Sequence, residues 1–190
     1  MKRIAVFASG RGSNARRLVE HFAGNKTAEI ALIASNKPDA PVLDMAHAQD
    51  ISVFVFDKKK FTQEKSVIEE LENFEIDFIV LAGFLWLVPK VLIEHFPKKI
   101  INLHPALLPK YGGKGMYGMR VHEAVRANNE PETGITIHYV NEHYDEGDII
   151  FQAKCTVEPT DTPQDIAQKI HELEHKHLPI ITEKLVTSSE

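Results

Sequence analysis

In the run Ile101-Asn102-Leu103-His104-Pro105-Ala106-Leu107-Leu108-Pro109, an amide and an imidazole stand two positions apart in a segment of strand-like composition. Side chains alternate between the faces of a strand, so Asn102 and His104 emerge on the same side. Pro105 holds His104 in extended backbone, because its ring disfavours the helical conformation in the residue before it. An amide and an imidazole side by side at a strand end can hold a carbonyl oxygen and stabilise the charge it acquires when attacked.

Three further segments carry possible chemistry. Ser9-Gly10-Arg11-Gly12-Ser13-Asn14 lies between an apolar run and a helical pattern. Backbone N–H groups and the helix dipole would converge there on an anion, with the Ser13 hydroxyl beside them. The spelling suits a single phosphate. Gly10, Gly12 and Ala15 also fit the dinucleotide pattern G-x-G-x-x-A, yet the next apolar run ends in Ser35-Asn36-Lys37, with no acid to hold a ribose. A glycine turn serving packing alone is the plainer alternative. Leu81–Val88 groups large apolar side chains around Gly83, which suits a flat aromatic ligand, although such a run is more often core. His171-Glu172-Leu173-Glu174-His175 spells the zinc-protease motif H-E-x-x-H on a predicted helix. That helix needs an apolar face through Ile166, Ile170, Leu173 and Leu178, and no convincing third ligand follows, so the motif reads as a solvated face. Lys58-Lys59-Lys60 reads as a solvated turn. His122 and His138 read as structural, with His138 on a strand that leads to Asp145.

These residues need elements to position them. Short apolar runs at Ile4–Ala8, Glu29–Ala34, Val53–Phe56, Phe78–Leu81 and Ile100–Leu103 alternate with helical patterns at Asn14–Phe22, Pro41–Ala48, Thr62–Glu72 and just after Pro89. That alternation predicts a parallel, doubly wound α/β sheet covered on both faces. Gly134–Val140, the turn chemistry of Asp145-Glu146-Gly147-Asp148, and Ile149–Val157 predict an antiparallel extension. Thr162-Pro163-Gln164-Asp165 opens a long helix reaching about Leu185, with a frayed tail over residues 187–190. The fold class is Rossmann-like, mostly parallel, with a C-terminal antiparallel extension and a long C-terminal helix. Val53–Phe56 is a possible sheet edge. In such sheets ligands bind beyond the strands' carboxyl ends, where strand order reverses. The segments after residues 8, 81 and 103 are all at such ends.

Composition narrows the partners. The 190 residues are 43% hydrophobic and 26% charged, enough for one core, and one domain over 1–190 is expected. A single cysteine, Cys155, excludes an internal disulfide framework, and the N-terminus lacks signal-peptide anatomy, so a cytoplasmic location is expected. Apolar runs fall short of the ~20 residues a membrane helix needs. A net charge of −5 argues against nucleic acid as the main partner.

Taken together, Ser9–Asn14, Leu81–Phe84, Asn102–Pro109 with Lys110-Tyr111, and Asp145-Glu146-Gly147-Asp148-Ile149-Ile150 resemble the glycinamide ribonucleotide formyltransferase family, which is folate-dependent. The likeness spans nearly the whole chain. Its Asn-x-His core with a distal Asp is shared by other enzymes that use 10-formyltetrahydrofolate. The phosphate loop and the chain length select the purine branch, since the tRNA-directed enzymes and the hydrolases carry additional domains. The resemblance implies that Asn102, His104 and Asp145 form the catalytic group, and that Gly12, Ser13, Asn14 and Glu174 hold the ribonucleotide. Leu85, Trp86, Leu87 and Val88, with Asn102, would contact the folate. Asn102 would donate to the formyl oxygen, and cationic His104, its pKa raised by Asp145, would stabilise the oxyanion. 10-Formyltetrahydrofolate is the implied co-substrate, no metal is required, and a cis Leu108–Pro109 bond is implied. One of Lys58, Lys59, Lys60 and Lys65 would contact ligand. Tyr111–Met119, richer in glycine than the commoner family spelling, is either a surface connection or a lid. The rival readings are a formylfolate hydrolase, a nicotinamide-dependent dehydrogenase and a non-catalytic nucleotide-binding module.

Overall fold

The computed structural model describes residues 1–63 and 66–188. Its frame is a seven-stranded sheet of order β3-β2-β1-β4-β5-β6-β7. The strands are β1 (Lys2–Phe7), β2 (Ala28–Ser35), β3 (Ser52–Val55), β4 (Phe78–Leu81), β5 (Ile100–His104), β6 (Glu132–Tyr139) and β7 (Ile149–Thr156). The first five run parallel, while β6 and β7 are antiparallel to their neighbours. β3 is an edge, as its composition allowed.

Alternation along the central strands gives each face its own core. Ile4 and Val6 pack with Val80, Ile101 and Ile137 beneath α1 (Ser13–Phe22), α2 (Pro41–His47) and α7 (Pro163–Thr187). Ala5 and Phe7 pack with Leu32, Ile79 and Ile100 beneath α3 (Lys58–Gln63), α4 (Ser66–Asn73) and α5 (Lys90–His95). Burial on both faces is why these strands are unbroken apolar runs. Thr162 caps α7 by accepting from the Asp165 backbone N–H, and the Asp165 carboxylate answers on the Thr162 N–H.

Where a helix is expected over Thr62–Glu72, helical residues run up to Gln63 and from Ser66 to Asn73, with residues 64 and 65 outside the described residues; Lys58-Lys59-Lys60, read as a solvated turn, is the start of α3. A helix, α6 (Met119–Ala127), stands where the sequence reading placed no element. Gly118 at φ 56 precedes it and obscured its start, although Val121 and Val125 are buried one turn apart. The C-terminal helix continues to Thr187, and residues 189 and 190 of the expected frayed tail lie outside the described residues. The Leu108–Pro109 bond is cis, as the resemblance implied.

Candidate active site

Strand order reverses between β1 and β4, so the chain diverges at that point and leaves a crevice at the carboxyl ends. A cavity of about 780 Å³ opens there. It receives Gly10–Asn14 after β1, Ala82–Leu85 after β4, Asn102–Pro105 from β5, Asp145 from the loop before β7, and Ile170, His171 and Glu174 from α7.

The first loop is shaped by close packing. Gly12 has φ +72, and a Cβ there would lie 2.3 Å from Val42 Cγ2. It caps α1 without a side-chain hydrogen bond, and the first turn carries no acid, so the opening N–H groups of the helix face the cavity without a carboxylate of their own. Asn14 Nδ2 donates to Glu174 Oε2 at 2.9 Å, and His171 Nδ1 lies 3.0 Å from the same oxygen. That bond raises the pKa of His171. Among the residues expected at the ribonucleotide, Gly12, Ser13, Asn14 and Glu174 therefore share one end of the cavity. Glu172 is absent from that wall, and His171 is engaged with Glu174.

At the centre, the β5–β6 register places Asn102 directly opposite His138. Asn102 Nδ2 donates to Asp145 Oδ1 at 3.2 Å and lies 3.1 Å from His138 Nε2. His138 Nδ1 is 2.8 Å from the Tyr139 carbonyl, so the hydrogen resides on Nδ1 and Nε2 accepts from Asn102. Both amide hydrogens of Asn102 are thus engaged. His104 Nε2 donates to the Tyr111 carbonyl at 2.7 Å, and its Nδ1 is 3.5 Å from Asp145 Oδ2, which also accepts from the Gly113 N–H at 2.9 Å. The loop after β5 is pinned by Thr136, whose hydroxyl donates to the Ala106 carbonyl and accepts from the Leu108 N–H.

The electrostatics correct one expectation. His104 is 3% exposed, and burial lowers its pKa, although Asp145 and the Tyr111 carbonyl oppose the shift. Loss of water outweighs a carboxylate at 3.5 Å, so the resting ring is biased toward neutral imidazole, the reverse of the raised pKa expected from Asp145. Burial alone would lift Asp145, but the His138 and His104 rings beside it, 3.7 and 3.5 Å away, and the Gly113 N–H together hold it below the ordinary carboxylate range.

The residues expected around the folate are divided. Leu85 lines the main cavity, whereas Trp86, Leu87 and Val88 line an adjoining one of about 370 Å³ with Lys58, Phe61 and Lys90. Tyr144 lines both, and its hydroxyl accepts from the Leu87 N–H at 3.1 Å. Phe84 and Phe56 pack edge-on against Trp86, and Phe61 packs on it at a tilt. Of the candidate lysines, Lys58 lines this adjoining cavity, while Lys65 lies outside the described residues.

The run Tyr111–Met119, left open by the sequence between a surface connection and a lid, borders the site: residues Gly113–Arg120 line the main cavity. His122 also lines it, 6% exposed, with Nδ1 lacking a hydrogen-bond partner. Its signal was the helical spacing of Val121 and Val125 around it. His138, read as structural, contacts Asn102, and its placement opposite that residue in an antiparallel pair is the signal that could have found it.

Comparison with known proteins places these features in context. The formyl transferase family model matches residues 2–182. The chain is 38% identical over 191 residues to the phosphoribosylglycinamide formyltransferase of Bacillus subtilis, covering 98% of this chain and 95% of that one. It is 41% identical over 181 residues to the chloroplastic phosphoribosylglycinamide formyltransferase of Arabidopsis thaliana, covering 92% of this chain but 62% of the plant protein. The crystal structure of phosphoribosylglycinamide formyltransferase from Bacillus halodurans superposes with a TM-score of 0.87 at 36% identity, covering 100% of this chain and 97% of that one.

Proposed function

The chain belongs to the formyl transferase family, and from that premise we propose that it transfers the formyl group of 10-formyltetrahydrofolate to the amine of glycinamide ribonucleotide, a step of purine synthesis in the cytoplasm, with residues 1–190 acting as one domain. The observation that carries this reading is the meeting of Asn102, His104 and Asp145 in one cavity whose other end is the anion-ready loop Gly12–Asn14. Phosphate and reacting amine would occupy opposite ends of one ligand. The formylfolate enters past Leu85, with the adjoining cavity of Trp86, Leu87 and Val88 beside it and Lys58 supplying positive charge for a carboxylate tail, while Lys90 is paired there with Glu142.

During transfer the amine nitrogen bonds to the formyl carbon, the bond from that carbon to folate breaks, and one proton passes from the incoming nitrogen to the outgoing one. Ionised Asp145 receives the amine hydrogen bond and steers its proton. His104 begins as neutral imidazole with Nδ1 as its acceptor, gains the proton as the oxyanion grows, and is then the adjacent cation. Asn102 gives the formyl oxygen one N–H by exchanging its contact with His138.

The test is formylfolate consumption measured with and without the ribonucleotide. Strict dependence on the ribonucleotide is expected. Equal turnover without it would make the protein a hydrolase, and NADH binding without folate affinity would make it a dehydrogenase.

A further inference from the structure

The His104 ring is gripped on its second nitrogen by a segment whose anchor lies outside the cavities around the site. The Tyr111 carbonyl that accepts from Nε2 belongs to a residue at φ 57, a left-handed conformation that a bulky side chain seldom adopts. Its side chain is tied down. The Tyr111 phenol donates to Glu130 Oε1 at 2.8 Å, and Lys110 Nζ donates to the two Glu130 oxygens at 2.9 and 3.2 Å. Glu130 sits in the turn between α6 and β6 and lines none of those cavities. The chain then passes hard against the catalytic group. A Cβ on Gly112 would lie 2.5 Å from Leu108 Cδ2 and 3.2 Å from Asp145 Cβ, and the Gly113 N–H donates to Asp145. Residues 111–113 therefore touch both His104 and Asp145; Asp145 holds the Gly113 end of this run and Glu130 the Tyr111 end.

We propose that Glu130, acting through the Tyr111 phenol and carbonyl, is a positioning residue that sets the rotation of the His104 ring and the nitrogen that carries its hydrogen. As a statement about catalysis, this rests on the formyl-transfer reading above. With Nε2–H committed to the carbonyl, Nδ1 turns its lone pair toward Asp145 and the amine. The other groups acting on the ring are Asp145, 3.5 Å from Nδ1, with His138 and Glu174 beyond it. None of them holds Nε2. Without the carbonyl in place the ring can turn over or exchange tautomers, and its acceptor no longer faces the substrate.

Tyr111→Phe, Glu130→Ala and Glu130→Gln test the proposal with two readouts, steady-state kinetics and the ring-nitrogen NMR signals of His104. In the wild type the signals should report the Nε2–H tautomer. Tyr111→Phe and Glu130→Ala should each lower kcat by about 10- to 100-fold with KM for both substrates nearly unchanged. Both should give mixed tautomers and a His104 titration moved to lower pH, because a carbonyl acceptor favours the charged ring. Glu130→Gln keeps an acceptor for the phenol and should restore both readouts, and the double variant Tyr111→Phe with Glu130→Ala should be no slower than either single one. Wild-type tautomer and kcat in Tyr111→Phe would overturn the proposal, as would losses confined to KM or stability with unchanged ring signals. If the wild type transfers no formyl group, the function assignment falls while the ring signals still decide whether Glu130 orients His104.

Discussion

Replacing Asp145 with asparagine removes one negative charge while preserving backbone preference, since asparagine tolerates the left-handed φ of 58 found there. The two carboxylate oxygens accept from different donors, Oδ1 from Asn102 and Oδ2 from the Gly113 N–H. The new amide offers one oxygen and one NH₂, so one of those donors faces another donor whichever way it is turned. The less disruptive choice turns the NH₂ toward Asn102, whose own amide can answer only by setting its carbonyl against the bare Nε2 of His138. Folding stability should fall by about 1–3 kcal/mol. The larger effect is catalytic. A carboxylate 3.5 Å from a ring that must become cationic is worth about 4–5 kcal/mol at an effective dielectric constant of about 20, or roughly three decades in rate. We expect kcat to fall by about 10²–10⁴, with both substrates binding within a few-fold of wild type. Single-turnover formyl transfer separates this loss from product release, and calorimetric titration of each ligand measures binding. His104→Asn should be comparably slow, and the double variant barely slower, because the two groups act as a unit. A kcat within about threefold of wild type, or losses that multiply, would refute the reasoning and leave Asp145 as a turn residue.

Gly12→Ala would force a Cβ to 2.3 Å from Val42 Cγ2 in a left-handed conformation, and should lower the unfolding free energy by about 2–4 kcal/mol in a urea titration. An unchanged midpoint would show that α2 yields freely. Ser13→Ala should weaken ribonucleotide binding about tenfold and leave folate binding intact, and equal losses for both ligands would contradict a phosphate role. Burial lowers the pKa of His104 and His122 from about 6.5, so below that pH the unfolded chain binds protons that the folded chain refuses. Stability should therefore decline as pH falls through about 6.5 toward 5.5, each group adding up to about 1.4 kcal/mol per pH unit, partly offset by His171, whose pKa is raised. A flat unfolding free energy across that window would exclude buried neutral histidines.

The central strands were legible because burial on both faces leaves nothing but apolar side chains, as in Phe78–Leu81, which the sequence bounds without error. The Asn102–His104 pair was legible for a related reason, strand alternation. What stayed hidden depends on contacts made across long separations. No local pattern tells that the loop carrying Asp145 folds back onto β5, or that the Tyr111 carbonyl takes the second nitrogen of His104. The pKa of His104 was misjudged because a charge partner is visible in a sequence motif, whereas the depth of burial that outweighs it is not. Glycines around residues 112–118 hid the cavity wall and the start of α6, since a glycine-rich run reads alike whether it lies on a surface or against a ligand.

The packing of Phe56, Phe61 and Phe84 against Trp86 has a spectroscopic consequence. Trp86 is the only tryptophan in the chain, half-buried at the wall of the cavity of Leu87 and Val88. All indole emission therefore originates at one place, ringed by phenylalanines that absorb at shorter wavelength and cannot mask it. A pterin or benzoyl group entering that cavity would quench the native fluorescence, while a ligand confined to the glycine loop at the far end would leave it nearly unaltered. The unlabelled protein thus carries its own reporter, able to tell occupancy of one half of the crevice from occupancy of the other.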